Sequence, residues 1–141
     1  MYALPLERRD RLGMSMKIRI KTESAGDIPA EIFTEKNPRT AEAIWKALPI
    51  KGTANRWGEE IYFDVSVKVP EENSQEVVEI GDLAYWPPGN CFCIFFGATP
   101  ASKGNQPRAA SPVNVFGRVI MHAKTLTKVK SGENIEVERT D

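Results

Sequence analysis

From Met16 onward the chain alternates. Met16, Ile18 and Ile20 are separated by Lys17, Arg19 and Lys21, the period-two pattern of a strand with one wet face. "SAGD" is turn chemistry, and Ile28, Ala30 and Ile32 then resume the alternation, so the two runs read as a hairpin. The period changes in "NPRTAEAIWKALP". Ala41, Ile44, Trp45 and Leu48 fall at i, i+3, i+4 and i+7, with Asn37 placed to cap, Pro38 at the first helical position and Pro49 as a stop. This predicts one helix over residues 38–48, with Trp45 on its core-facing stripe. Alternation returns in "EEIYFDVSVKV", where Ile61, Phe63, Val65 and Val67 face one way and Tyr62, Asp64, Ser66 and Lys68 the other. Extended pieces follow around the Gly81-Asp82 turn, in "CFCIFFG", in "VNVFGRVIMHA" with a bend at Gly117, and at the end with Ile135 and Val137 inward. "PEENSQE" reads as a solvated acidic loop, and "ATPASKGNQPRAASP" as a long loop of the kind that is functional or mobile in a compact domain.

About eight extended pieces to one helix predict an all-β domain, a closed or nearly closed barrel, because closure removes exposed strand edges. The helix would plug an open end. Residues 1–15, polar and weakly periodic, are expected to be a flexible N-terminal arm, and residues 16–141 the barrel domain.

The densest aromatic stretch is "AYWPPGNCFCIFFGATPAS". Alternation puts Leu83 and Tyr85 on one face and Ala84 and Trp86 on the other, until Pro87 and Pro88 stop the strand. "PPGN" turns the chain back into a run with Phe92, Ile94 and Phe96 on one side and Cys91, Cys93 and Phe95 on the other. One side must fill a barrel interior. The other would expose an apolar patch in water, so it meets the helix or lines a groove. Tyr85 or Trp86, with Phe95 or Phe96, is the expected floor of such a groove, and Gly97 serves a close backbone approach or a turn.

Charge and composition narrow the partners. Lys plus Arg is 19 and Asp plus Glu is 19, a balance without the basic excess that nucleic acid requires. No apolar run is long enough to cross a bilayer, and "MYALPLERRDRLGM" is charged where a signal peptide is apolar, so the expected compartment is the cytoplasm. Cys91 and Cys93, at i and i+2 on one strand face, read as buried small hydrophobes. His122 is the single histidine and reads as a surface or edge residue, so neither a metal, a cofactor nor a Ser-His-Asp arrangement is expected. Glu59-Glu60 and Glu71-Glu72 read as solvated faces.

"MKIRIKTESAGDIPAEIFTEKNPRTAEAIWKAL", "GDLAYWPPGNCFCIFFGATPAS" and "NVFGRVI", in that order, resemble the small prokaryotic cyclophilin-like domains, compact relatives of the cyclophilin prolyl isomerases. The resemblance covers about residues 16 to 139. It implies an eight-stranded barrel with a shallow outer groove. In cyclophilins that groove isomerises prolyl bonds, an arginine stabilising the twisted amide. Their catalytic sequence is missing here, and its slot, "PIKGTANRWGEEIYF", holds Arg56 alone. On the resemblance, Arg56 is the candidate catalytic residue, and Trp57, Tyr62, Thr99 and Asn114 join the aromatic floor as ligand contacts. The expected function is binding of a small molecule or an extended, proline-containing peptide; weak prolyl isomerisation through Arg56 is the alternative.

Overall fold

The computed structural model describes residues 15–140; the expected arm lies, apart from Ser15, outside them. Strands β1 (Met16–Thr22) and β2 (Gly26–Ile32) form the expected hairpin, Met16 opposite Ile32 and Ile20 opposite Ile28. Gly26 closes their turn at φ 72°, a left-handed conformation that suits glycine. Helix α1 (Pro38–Ala47) follows, then β3 (Ile50–Thr53), β4 (Asn55–Arg56), β5 (Glu60–Asp64), β6 (Gln75–Val77) and β7 (Asp82–Trp86). Strands β8 (Cys91–Phe95), β9 (Arg108–Val119) and β10 (Asn134–Arg139) complete the order, with 3-10 turns at Pro87–Gly89 and Ala123–Lys128. The all-β architecture with one main helix is as expected. The strands beyond those expected are β3 and β4, both within "PIKGTANRWG", and β6, which begins inside "PEENSQE".

Every pairing is antiparallel, along the path β3-β10-β1-β2-β9-β7-β8-β5-β4, with β6 on β9. The hydrogen-bonded path does not close on itself, so the barrel is nearly closed rather than closed. Its two ends, β3 and β4, are instead consecutive in the chain and joined through Ala54. Ala54 N–H donates to Glu133 O at 2.8 Å and Ala54 O accepts from Gly132 N–H at 2.8 Å. Gly52 on β3 lies so close to β5 that a Cβ would come within 2.8 Å of the Phe63 ring. Covalent continuity and side-chain packing do the closing that a ladder does elsewhere.

Inside, Phe63 stacks on Phe92 with ring centroids 5.0 Å apart, and Phe92 meets Phe116 edge-on at 5.2 Å. Both geometries suit the ring quadrupole. Helix α1 lays Thr40, Ala41 and Ile44 against this core. Trp45 is half-buried at its margin, with the Arg139 guanidinium 4.2 Å above its ring and Arg139 Nη2 donating to Trp45 O at 2.7 Å.

Two expectations are corrected at the helix start. Asn37 makes no side-chain cap. Its amide is buried and instead donates to Val115 O at 2.8 Å and accepts from Asn73 N–H at 2.7 Å. The "PEENSQE" segment is solvated only in part: Pro70, Glu71 and Asn73 are exposed, whereas Glu72 caps the helix from outside. Its carboxylate accepts from the N–H groups of Arg39 and Thr40 at 3.1 and 3.2 Å and from the Thr40 hydroxyl at 2.9 Å. An anion at a helix N-terminus also complements the macrodipole. The long loop is shorter than expected, because "RAASP" belongs to β9.

Glu72→Ala should therefore destabilise the fold by about 1–2 kcal/mol, the usual cost of a lost cap. Urea unfolding should show a lower midpoint at unchanged slope. A midpoint equal to the parent's would mean that water replaces the carboxylate.

Candidate functional site

All five residues of β8 are buried. Phe92 and Ile94 point into the barrel, while Cys91, Cys93 and Phe95 point outward, as alternation requires. The outward face is covered by a second, smaller core with Val78, Ala84, Ala109, Val113 and Val115, against which Phe33, Tyr62 and Trp86 pack. The cover comes from β9. Its first half pairs with β6, and its second half pairs with β7 and β2. Between these elements lies an open hollow of about 220 Å³, lined by Trp57, Glu60, Tyr62, Trp86, Cys93, Ala109, Ala110 and Val113.

Local sequence sets each wall. Trp57 and Glu60 exchange backbone hydrogen bonds of 2.9 and 3.2 Å across a tight turn, and Gly58 within it adopts φ 62°. That turn packs on the 96–100 segment, through Glu59 N–H to Ala98 O and Phe96 N–H to Glu59 O, both 2.9 Å. Gly97 is needed there for close approach, since a Cβ would collide with the Glu59 side chain. Trp86 ends β7, and its ring lies against Gly89, where a Cβ would come within 2.6 Å of it. The indole N–H donates to Ser111 Oγ on β9 at 2.7 Å, which holds the ring between the two strands.

Glu60 is the one carboxyl in the lining. It is only 6% exposed, and among the described residues no lysine, arginine or histidine pairs with it. Burial pushes its carboxyl up from 4.5 to about 7, and a hydrogen bond from the Cys93 thiol holds the rise back. The expectation that Glu59-Glu60 is a solvated face is thus overturned for Glu60. Both cysteines are free and buried as expected; burial pushes Cys91 up to about 11 and Cys93 well above the ordinary thiol range, so neither is a thiolate nucleophile.

Of the residues nominated from sequence, Trp57, Tyr62 and Trp86 meet at the hollow. The others serve elsewhere. Tyr85 is fully buried in the barrel, its hydroxyl donating to Val67 O at 2.7 Å, and Phe96 is buried in the same core. Phe95 belongs to the outer cluster without lining the hollow. Thr99 bonds through its hydroxyl to Arg108 O, tying the 97–107 loop to β9. Asn114 is buried, donates to Thr40 Oγ1 and Pro70 O at 3.0 Å, and accepts from Glu72 N–H at 3.1 Å. Arg56 stands apart from the hollow. Its guanidinium donates to the carbonyls of Gly58, Thr127 and Val129 at 3.0, 3.0 and 2.8 Å and lies 5.0 Å over the Phe96 ring.

Glu60, Cys93, Ala109, Ala110 and Val113 were missed. For Glu60 a signal existed: it lies two residues before Tyr62 on one strand and so shares its face. Cys93 faces Tyr62 across the β5–β8 ladder, a register that no local pattern reveals. Among the described residues, no three His, Cys, Asp or Glu side chains gather as metal ligands, and no helix is long and apolar enough to cross a membrane.

A family model described as "Cyclophilin-like" matches residues 16–138. The solution structure of the hypothetical protein AF2241 from Archaeoglobus fulgidus is similar at 50% identity and TM-score 0.75, over 89% of this chain and 95% of that one. A cyclophilin-type peptidyl-prolyl cis-trans isomerase of Cryptosporidium parvum is similar at 17% identity and TM-score 0.56, over 90% of this chain and 98% of that one, a likeness of fold alone. No curated protein matches the sequence. With a match that spans nearly every described residue, and a half-identical structure beside it, the chain belongs to the cyclophilin-like family.

Proposed function

We propose that this domain is a binding module whose hollow beneath Trp57, Tyr62 and Trp86 takes a small molecule or one residue of an extended peptide. One observation carries the reading: a nearly buried carboxylate, Glu60, borders an open apolar hollow with a thiol as its polar side-chain neighbour. An uncompensated buried acid costs stability, and a binding site is where such a cost is tolerated, because the ligand completes the pairing. Apolar walls with few polar groups are what small-ligand sites use. The volume, about 220 Å³, exceeds the roughly 150 Å³ that holds benzene, so a single substituted ring or a proline residue fits.

Amide and indole NMR spectra titrated with a fragment library and with short prolyl peptides test this. Shifts are expected at the Trp57 and Trp86 indoles and at residues 60–62 and 109–113. Ala110→Phe, at an exposed lining position, should abolish them without unfolding the chain. Ligands that bind this variant as well as the parent would remove the hollow from the function.

Arg56→Ala separates clamp from site. Losing its charged hydrogen bonds should cost about 2 kcal/mol of stability while ligand affinity stays unchanged. An affinity loss matched by no stability loss would return Arg56 to the binding machinery.

Glu60 also makes stability depend on pH. With its carboxyl raised from 4.5 to about 7, the folded chain keeps a proton that the unfolded chain has released. Stability is therefore undiminished below the lower value, falls as pH rises between the two, and levels off above the higher one. The full loss is at most about 3 kcal/mol, and Glu60→Gln should remove it. Urea midpoints of parent and variant, compared at both ends of that window, measure it; parallel profiles would put the carboxyl in water.

A further inference from the structure

Given that the hollow binds a ligand, we infer that the ligand is a small organic cation: an alkylated ammonium set against Trp57, Tyr62 and Trp86, with Glu60 as its counter-charge. Three aromatic residues and one carboxylate converge on a single hollow whose remaining lining is Cys93, Ala109, Ala110 and Val113. The lining contains no lysine or arginine, so its one formal charge is negative. Ring faces carry negative potential and attract cations, most strongly where water is displaced. An anionic ligand would meet repulsion from Glu60 and from the rings together. A purely apolar ligand would seal Glu60 away from water and leave it unpaired. A compact primary ammonium is strongly hydrated, whereas the methyl groups of an alkylated one can be buried against Ala109, Ala110 and Val113. The hollow, about 220 Å³, has room for a trimethylammonium head with a short tail.

The titratable groups around Glu60 are few. Cys93 and Cys91 on β8 interact with it electrostatically, and both remain neutral thiols near neutrality. Tyr62 lies on its own strand, and β9 from Ala109 to Val113 brings no ionisable side chain. A quaternary ammonium does not titrate, so any pH dependence of its binding reports the carboxyl.

Calorimetry and NMR with choline and with its uncharged carbon isostere, 3,3-dimethylbutan-1-ol, test the inference. Choline should bind at least about tenfold more tightly near pH 8. Its advantage should shrink as the pH is lowered through the Glu60 titration, and should largely vanish in Glu60→Gln. Should that variant misfold, the choline-to-isostere ratio on the parent decides alone. Equal binding of the two compounds at the hollow overturns the cation and leaves the binding reading standing. Failure of both compounds, while fragments or prolyl peptides still shift the hollow's resonances, also overturns only the cation; failure of all of them overturns both. A short peptide carrying trimethyllysine separates a free cation from one presented on a chain. Choline binding as tightly as the peptide, or more so, supports the free molecule; a peptide preference of about tenfold overturns that part.

Discussion

The molecule is organised by one strand that has no wet face. β8 is buried along its whole length, so the barrel interior satisfies only half of its apolar surface. The outward half, Cys91, Cys93 and Phe95, requires a second cover, and the long β9 supplies it by running past the barrel to pair with β6. Small residues at Ala109 and Ala110 make that cover thin. The bulky rings of Trp57, Tyr62 and Trp86 stand around it without filling the space, and the hollow is what remains. The candidate site is thus a consequence of packing two cores on one strand.

The polar groups beneath the surface follow the same logic. The 70–74 segment and α1 must be held to β9 if the cover is to stay in place, and two buried amides with the half-buried Glu72 carboxylate do this. Asn37 reaches Val115 and Asn73, Asn114 reaches Thr40, Pro70 and Glu72, and Glu72 caps the helix. Each member is satisfied by another, which is the condition under which buried polar groups stabilise rather than weaken a core. Glu60 stands outside this economy. Among the described residues it is the one carboxylate that is buried, and it borders the hollow.

Arg56 illustrates how a residue type can be right for a chemistry and committed to another task. A guanidinium beside an aromatic ring is what amide polarisation would require, and Arg56 does lie over Phe96. Its donors, however, point to the carbonyls of Gly58, Thr127 and Val129, where they fasten β4 to the turn before β10. Forked geometry suits that clamp as well as it suits a substrate. Sequence displays the fork; only the fold shows what occupies it.

Alternation along each strand was legible directly, because the side-chain period of a strand is a local property. It sorted Phe92, Ile94 and Phe96 from Cys91, Cys93 and Phe95, paired Leu83 with Tyr85, and turned Ile135 and Val137 inward. Proline and glycine marked the ends of α1 and β7 for equally local reasons. What no local rule contains is which distant segment covers a given face. Glu60 shares its hollow with Ala109, Ala110 and Val113 of β9, about fifty residues later in the chain; Asn114 is buried where α1 and the 70–74 segment close on it. Burial, and with it the proton affinity of a carboxyl, is decided by long-range packing. The strands and their faces were therefore written in the sequence, while the hollow, its acid and the identity of its walls came only with tertiary structure.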